Sequence, residues 1–425
     1  MSPPTVPARA GARHGWVRAA AVVLAAAAVM ALPAALGLWA AGAAGLPDGA
    51  YPRVVAATVV AAVGGSVEVS GDAGVFAGAR AGPTVLPLSV TLAGALALGA
   101  GFLRPLRHRA VVPAGELAGW AARIAVLWSA ALTGLGLAAR HTFAVDVGSG
   151  DLRDLTGLFD AAPEAGFAAD VPLTVLFGLL WLAGVLLLAL LVARGAPLPG
   201  RLLRRQESVR PAARAMLELL LAYAGAGLVT GLVAAATRGP AAATFALILL
   251  GLPNVAWPAL TLSTGATWDG RLDGPAGLPV PHVLDELLRC PGVCAVNLRS
   301  LAGHDGWMWW LPVPAVVLLL AVAFRMAVRS PARVRPRQHA LHLAVALALT
   351  VLMICLTGRV SAQYGLSVLG IGDLGGSLSG GLFLRPRLWQ AVGLGAVWGL
   401  AAGFLGGLLA GPVRRRGRVE HPPAP

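Results

Sequence analysis

The stretch VPLTVLFGLLWLAGVLLLALLV, residues 171–192, holds no charge, with Asp170 before it and Arg194 two residues after it. At about 1.5 Å per residue its 22 residues make a helix of roughly 33 Å, long enough to cross the ~30 Å hydrocarbon core of a bilayer. Seven further apolar runs of similar length recur, at about Val17 to Ala41, Val85 to Leu103, Glu116 to Ala139, Ala212 to Ala236, Trp307 to Phe324, His339 to Leu356 and Leu388 to Ala410. The composition agrees: 57% of residues are hydrophobic, 12% are charged, and mean hydropathy is +0.76. Counting the 55 Gly and leaving out Tyr brings the apolar-plus-Gly share to roughly 69%, against ~45–50% in soluble domains. This pattern excludes a soluble protein. It predicts an all-α polytopic transmembrane helical bundle of about eight spans, a single membrane domain over 1–410 with a short basic tail at 411–425.

The net charge of +14 invites a nucleic-acid reading, because phosphate binding leaves a basic footprint. Its distribution points elsewhere. With the N-terminus inside, 21 of the 33 basic residues fall in cytoplasmic segments: Arg9 to Arg18, Arg104 to Arg109, Arg194 to Arg214, Arg325 to Arg337, and Arg414 to Arg418. Only Glu116, Glu207 and Glu420 accompany them, and the opposite side holds 15 of the 19 carboxylates. The positive-inside rule is met at every loop, so both termini are expected in the cytoplasm of a plasma-membrane, multi-pass protein. The charge then reflects topology and attraction to anionic lipid headgroups on the cytoplasmic face, and no nucleic-acid partner is expected. The first apolar run exceeds the 7–15 residues of a signal core and reads as an uncleaved span. All basic residues are Arg in an Ala- and Gly-rich chain, the composition of a GC-rich bacterial genome.

One apolar stretch, Pro240 to Leu262, breaks the charge scheme if counted as a ninth crossing, because it would place the Arg-rich loop 329–337 outside. It contains Gly251, Pro253, Asn254 and Pro258, and each proline removes a helix hydrogen bond. A broken or re-entrant segment, entering from the outer face and returning, satisfies both facts. Val54 to Val67, too short to span and ended by Gly64-Gly65, reads as a second re-entrant segment or as one lying on the surface of the outer leaflet. The Gly-rich region Ser361 to Phe383 is a third. Together these irregular segments predict a partly buried cap over the helices, beside the outer loops 140–170, 263–306 and 357–387.

The eight spans form four outward-and-back hairpins whose outer connections carry similar turns: Ser70-Gly71-Asp72, Ser149-Gly150-Asp151, Asp269-Gly270 and Ile371-Gly372-Asp373. Internal repeats and interrupted helices are pointers to a binding site in transporters, while Gly and Asp also make turns by themselves. Arg123 and Glu218 are the two charges inside spans, each about 9–12 Å past a helix start, a depth at which they would meet. Such groups face a partner, a water cavity or the interface, where Arg snorkels. Cys290 and Cys294 lie on the outer face around a Pro-Gly turn, and a small disulfide is expected. Two thiols do not complete a zinc site, so neither metal nor cofactor is expected. Pro281 to Arg289 reads as a short amphipathic helix, and Trp307, Trp309 and Trp310 mark the headgroup level. His339 and His342 read as exposed interfacial residues, and Cys355 as apolar packing. No catalytic motif is present, so no enzyme is predicted.

The runs Val63-Gly64-Gly65-Ser66-Val67, Ser70-Gly71-Asp72 and Thr84-Val85-Leu86-Pro87-Leu88-Ser89-Val90 resemble the streptophobe family of actinobacterial membrane proteins. The later stretch Ile371-Gly372-Asp373-Leu374-Gly375-Gly376-Ser377 does so too. The resemblance implies a hydrophobic polytopic protein with no assigned activity, and so no functional residues. The residues leave three classes open: a secondary transporter or channel using the broken segments, a membrane enzyme with an outer carboxylate cluster between Asp146 and Asp170, and a membrane scaffold or assembly partner.

Overall fold

The computed structural model describes residues 8–46, 49–72, 77–81, 85–106, 113–144, 164–193, 200–237, 241–273, 286–290, 292–331, 334–368 and 380–412. Ser149-Gly150-Asp151, most of Asp146 to Asp170, Ile371 to Ser377 and nearly all of the tail lie outside them. The chain divides into two compact units, one of residues 1–202, 235–251 and 364–376, the other of 203–234, 252–363 and 377–425.

The first unit opens with α1 (Ala8–Ala40) and the short α2 (Ala50–Ala62), followed by the strands β1 (Val67–Asp72) and β2 (Ala77–Ala81). Two helices follow, α3 (Leu88–Leu103) and α4 (Ala114–Ala138), then β3 (Arg140–Ala144), β4 (Glu164–Ala169) and α5 (Val171–Val192). α5 starts where the sequence requires: the Asp170 carboxylate accepts from the Leu173 N–H and Pro172 occupies the first turn, where its missing N–H costs nothing. The helices bury an apolar core of Val23, Met30, Leu98, Phe102, Ile124 and Leu132, in which Trp128 stacks on Trp181 at 5.7 Å between centroids. At one end of the helices the strands pair antiparallel in the order β3-β4-β1-β2. Residues 364–368 of β7 (Val360–Val368) add a fifth strand beside β2, with Ala77 opposite Val368.

The second unit contains most of α6 (Gly200–Thr237) and, from Leu252 on, α7 (Ala241–Ser263), then β5 (Trp268–Asp273), β6 (Cys294–Val296) and the seven-residue α8 (Leu298–His304). Three long helices complete it: α9 (Pro312–Arg329), α10 (Pro336–Thr357) and, after β7 and β8 (Gly380–Pro386), α11 (Leu388–Leu409). β5 pairs antiparallel with both β6 and β8, over a small core of Trp268, Leu272, Leu288, Val296 and Leu301. α10 and α11 approach closely because glycines line the seam. A Cβ on Gly399 would stand 2.6 Å from Ala344 Cα, and one on Gly403 2.8 Å from Ala340 Cα.

Among the described residues nine helices are long and apolar enough to cross a membrane, one more than the eight expected spans. The addition is α7. The expected break is present at Gly251 (φ −135°, ψ 18°), but the segment stays helical on both sides and continues through Pro253 and Pro258. The Pro253 ring displaces the carbonyl four residues earlier, at Leu249, and Gly251 between them takes the bend without ending the helix. Each half of α7 packs within its own unit. In the first, Ser89 donates to the Ile248 carbonyl and Leu250 lies against Gly37; in the second, Leu252 and Ala256 lie against Gly227.

The larger correction concerns the loops that the charge pattern assigns to the outer side. They were expected to be irregular, yet among the described residues each contains β-strands, including the third proposed re-entrant region, whose described parts are β7 and β8. Val54 to Val67 behaves as expected of a short segment: α2 stops at Ala62, and Gly64 at φ 90° turns the chain into β1. Of the expected amphipathic helix Pro281 to Arg289, the described helical part is 286–288.

Candidate functional site

Arg123 and Glu218 each find their surroundings in their own unit. Glu218 on α6 pairs with two arginines of α9: Arg329 donates from a terminal nitrogen at 2.5 Å, and Arg325 Nε lies at 3.4 Å. The Glu218 side chain is 28% exposed and that of Arg329 32%, so the cluster sits at the rim of the helices and not in a dry core. Arg329 ends α9, where a cation is favoured by the helix dipole. Arg123 on α4 extends its guanidinium to the start of α1, 3.0 Å from where a Cβ on Gly15 would stand. The sequence missed Arg325 and Arg329 as partners because depth along one helix says nothing about which neighbour faces it.

The break in α7 leads to a buried cluster of hydroxyls and indoles at its C-terminal end. Thr261 donates to Pro258 O and accepts from Trp268 Nε1 at 2.9 Å; Ser263 donates to Ala259 O, and Thr264 to Thr261 O. Trp257 and Trp398 tie this end to α6 and α11 through the carbonyls of Leu220 and Thr264. Thr261, Ser263, Thr264 and Thr267 are all buried. Of the predicted break residues, Pro253 and Pro258 are buried and Asn254 is half-buried. The cluster closes a helix end: its hydroxyl protons go to backbone carbonyls, and Thr261 also takes the Trp268 indole.

The same holds along the other helices. Thr58, Ser129, Thr133, Thr174, Ser330 and Thr350 each donate to the carbonyl four residues earlier on their own helix. Such back-bonding spends the hydroxyl proton locally. The cavity beside Trp398, about 60 Å³, is lined by Val316, Leu319, Leu320, Ala402 and Leu405 with no polar atom exposed to it. A lining without hydrogen-bond partners holds no ordered water.

At the strand end of the second unit Cys290 and Cys294 are disulfide-bonded, with Cα atoms 6.0 Å apart. The Glu286 carboxylate and His304 Nε2 are in contact beside the loop. Asp269 on β5 takes Arg387 in a forked contact, with Nε 3.1 and 3.0 Å from its two oxygens and a terminal nitrogen at 2.9 Å. The Asp269 hydrogen bond, and then its charge, hold the Arg387 guanidinium above its ordinary range. Trp307, Trp309, Trp310 and Trp389 are exposed at this end. Cys355 is a buried free thiol, as expected. His339, read as exposed, is instead 1% exposed because the glycine seam brings α11 over it, with its ring 3.5 Å from where a Cβ on Gly407 would stand. Among the described residues no three His, Cys, Asp or Glu side chains come together as a metal site.

No protein-family profile, curated protein or solved structure matches this chain. Among the described residues the hydroxyls of the apolar helices mostly donate to backbone carbonyls, while the charged groups at the helix and strand ends pair with one another.

Proposed function

We propose that this is a multi-pass plasma-membrane protein with both termini in the cytoplasm, acting as a membrane-embedded scaffold that presents a β-stranded cap on the outer face. Arg-rich turns at one end of each unit and strands at the other support this orientation under the positive-inside rule, and the disulfide suits an oxidising outer compartment. Membership of the streptophobe family, in an actinobacterium, is part of the same reading.

The observation that carries the scaffold reading is where the hydroxyl protons go: among the described residues most helix Ser and Thr hydroxyls donate to backbone carbonyls, of their own helix or, for Ser89 and Thr91, of a neighbour, and the cavity beside Trp398 is apolar. A solute path needs polar groups that converge on a space. Purified protein in liposomes should therefore pass protons, urea and glycerol no faster than protein-free liposomes, by a trapped pH dye and by light-scattering swelling. In cells, a photocrosslinker at Arg385 should join the protein to a partner that one at Arg337 does not reach. Flux several-fold above the protein-free rate would overturn the proposal.

The transporter reading rests on one observation, the break at Gly251 next to Asn254. It requires Asn254→Cys to react with a water-soluble maleimide as fast as an exposed site. The scaffold reading expects slow reaction.

A further inference from the structure

We infer that the chain is a tandem duplication of one four-crossing unit: residues 8–192 and 200–409 are two copies in the same sense, and α7 stands in the second where α2 stands in the first. The order of elements is the first observation. Each half reads long helix, shorter helix, two strands, long helix, Arg-rich turn, long helix, two strands, long helix, with α8 as an extra turn in the second.

The details at one junction argue further, because topology alone does not demand them. α2 and α7 end in the same Schellman cap. In the first copy Gly64 N–H bonds Ala61 O and Gly65 N–H bonds Val60 O; in the second, Gly265 N–H bonds Leu262 O and Ala266 N–H bonds Thr261 O. The capping glycines share a left-handed backbone, φ 90° at Gly64 and 93° at Gly265. Two residues beyond each, a carbonyl accepts from the N-cap residue of the last helix: Ser66 O from Asp170 N–H, and Thr267 O from Arg387 N–H. The strand that starts there pairs with the strand that ends there, Val67 opposite Ala169 and Trp268 opposite Pro386. The last helices, α5 and α11, are both 22 residues long.

Side chains at this junction change together. In the first copy Gly65 leaves room for Thr174, whose hydroxyl lies 2.7 Å from where a Cβ would stand. The matching positions of the second copy, one after Gly265 and four after Arg387, are Ala266 and Ala391, both 0% exposed. One copy pairs no side chain with a larger one, and the other uses two methyls.

The duplication decides between eight and nine crossings. Each copy contributes four, the first half of α7 is an insertion of ten residues before its Gly251 bend, and a duplication in the same sense requires that α7, like α2, does not cross. Only the naming of the two faces rests on the proposed orientation. The test uses the full chain in a Cys355→Ala background, with single reporters at matched exposed places: Arg140→Cys and Arg385→Cys on strands, Ala114→Cys and Arg337→Cys at the Arg-rich turns. Each must elute as the parent does, and Trp389→Cys replaces Arg385→Cys if that variant aggregates.

In intact cells a membrane-impermeant maleimide should label the two strand reporters together, at least tenfold faster than the two turn reporters, which react after permeabilisation. Reversal of Arg385 and Arg337 alone means that α7 crosses and overturns the duplication in the same sense. Reversal of all four leaves the duplication standing and refutes the proposed orientation instead.

Discussion

Replacing Gly399 by alanine is the sharpest test of how the second unit is packed. The new Cβ would meet backbone on three sides: Ala344 Cα at 2.6 Å, Leu343 O at 2.8 Å and Ala344 N at 2.9 Å. Carbon–carbon contacts are comfortable near 3.5–4.0 Å, and backbone has no rotamer to turn away, so α10 and α11 must separate by about 1 Å. A gap of that size forfeits a quarter to a half of each dispersion contact along the seam. Overpacking of this kind costs about 1–3 kcal/mol, and rigid backbone neighbours place Gly399→Ala at the upper end, about 3 kcal/mol. At roughly 2–4 °C per kcal/mol for a unit of 150–250 residues, Tm should fall by about 6–12 °C. The assay is thermal unfolding in detergent, read by the fluorescence of a size-exclusion peak. The control is Gly393→Ala on the same helix, whose Cβ would meet nothing within 4 Å and which should leave Tm within ~2 °C. Equal shifts for the two variants would refute the packing argument.

Gly15→Ala should cost little, under about 0.5 kcal/mol, because its 3.0 Å neighbour is the end of the flexible Arg123 side chain; a Tm loss like that of Gly399→Ala would contradict this. Gly64→Ala and Gly265→Ala should each lose about 1–2 kcal/mol from forcing alanine into the left-handed region, with Tm shifts that agree within experimental scatter. A double-mutant cycle of Glu218→Gln with Arg329→Gln should give a coupling of about 0.2–1 kcal/mol, as the pair is partly exposed, and the coupling should shrink in high salt. Alkylation of denatured, unreduced protein should modify Cys355 alone, and reduction should expose Cys290 and Cys294; three reactive thiols without reductant would deny the bridge.

The membrane helices were legible because hydrophobic length is a local property: 22 uncharged residues before Arg194 declare a span wherever they pack. The disulfide was legible from the Cys-Pro-Gly-Val-Cys spacing. The strands were not. Segments such as VEVSGD (67–72), AGARA (77–81) and EAGFAA (164–169) are short, and most are rich in Gly and Ala, which carry little strand propensity. Besides their near neighbours in sequence they pair with far ones, as Val67 does with Ala169 and Ala77 with Val368, and no window along the chain contains that signal. The repeated Gly-Asp turns hinted at internal repetition, but the unit repeated is half the chain, not one hairpin.

The candidate site divides in the same way. Sequence placed Glu218 and Arg123 at a comparable depth, since depth is residue count times rise. It had no means to choose Arg325 and Arg329 for Glu218, because that choice depends on which helix faces which. It found the break near Gly251 and the prolines that cause it, but not whether the chain would reverse, bend or continue there; the packing of Ile248 and Leu250 in one unit and of Leu252 and Ala256 in the other accompanies a bend.

By itself, then, the sequence determined that this chain is a bundle of membrane helices and marked the charged ends of its spans, because burial in lipid is decided residue by residue. Only the tertiary structure decided that the Gly-rich connections contain strands, that α10 and α11 meet at backbone distance, and that α2 and α7 end in the same cap. Those features depend on contacts between residues far apart in the chain, and a close helix seam or a shared cap geometry appears only once both partners are in place.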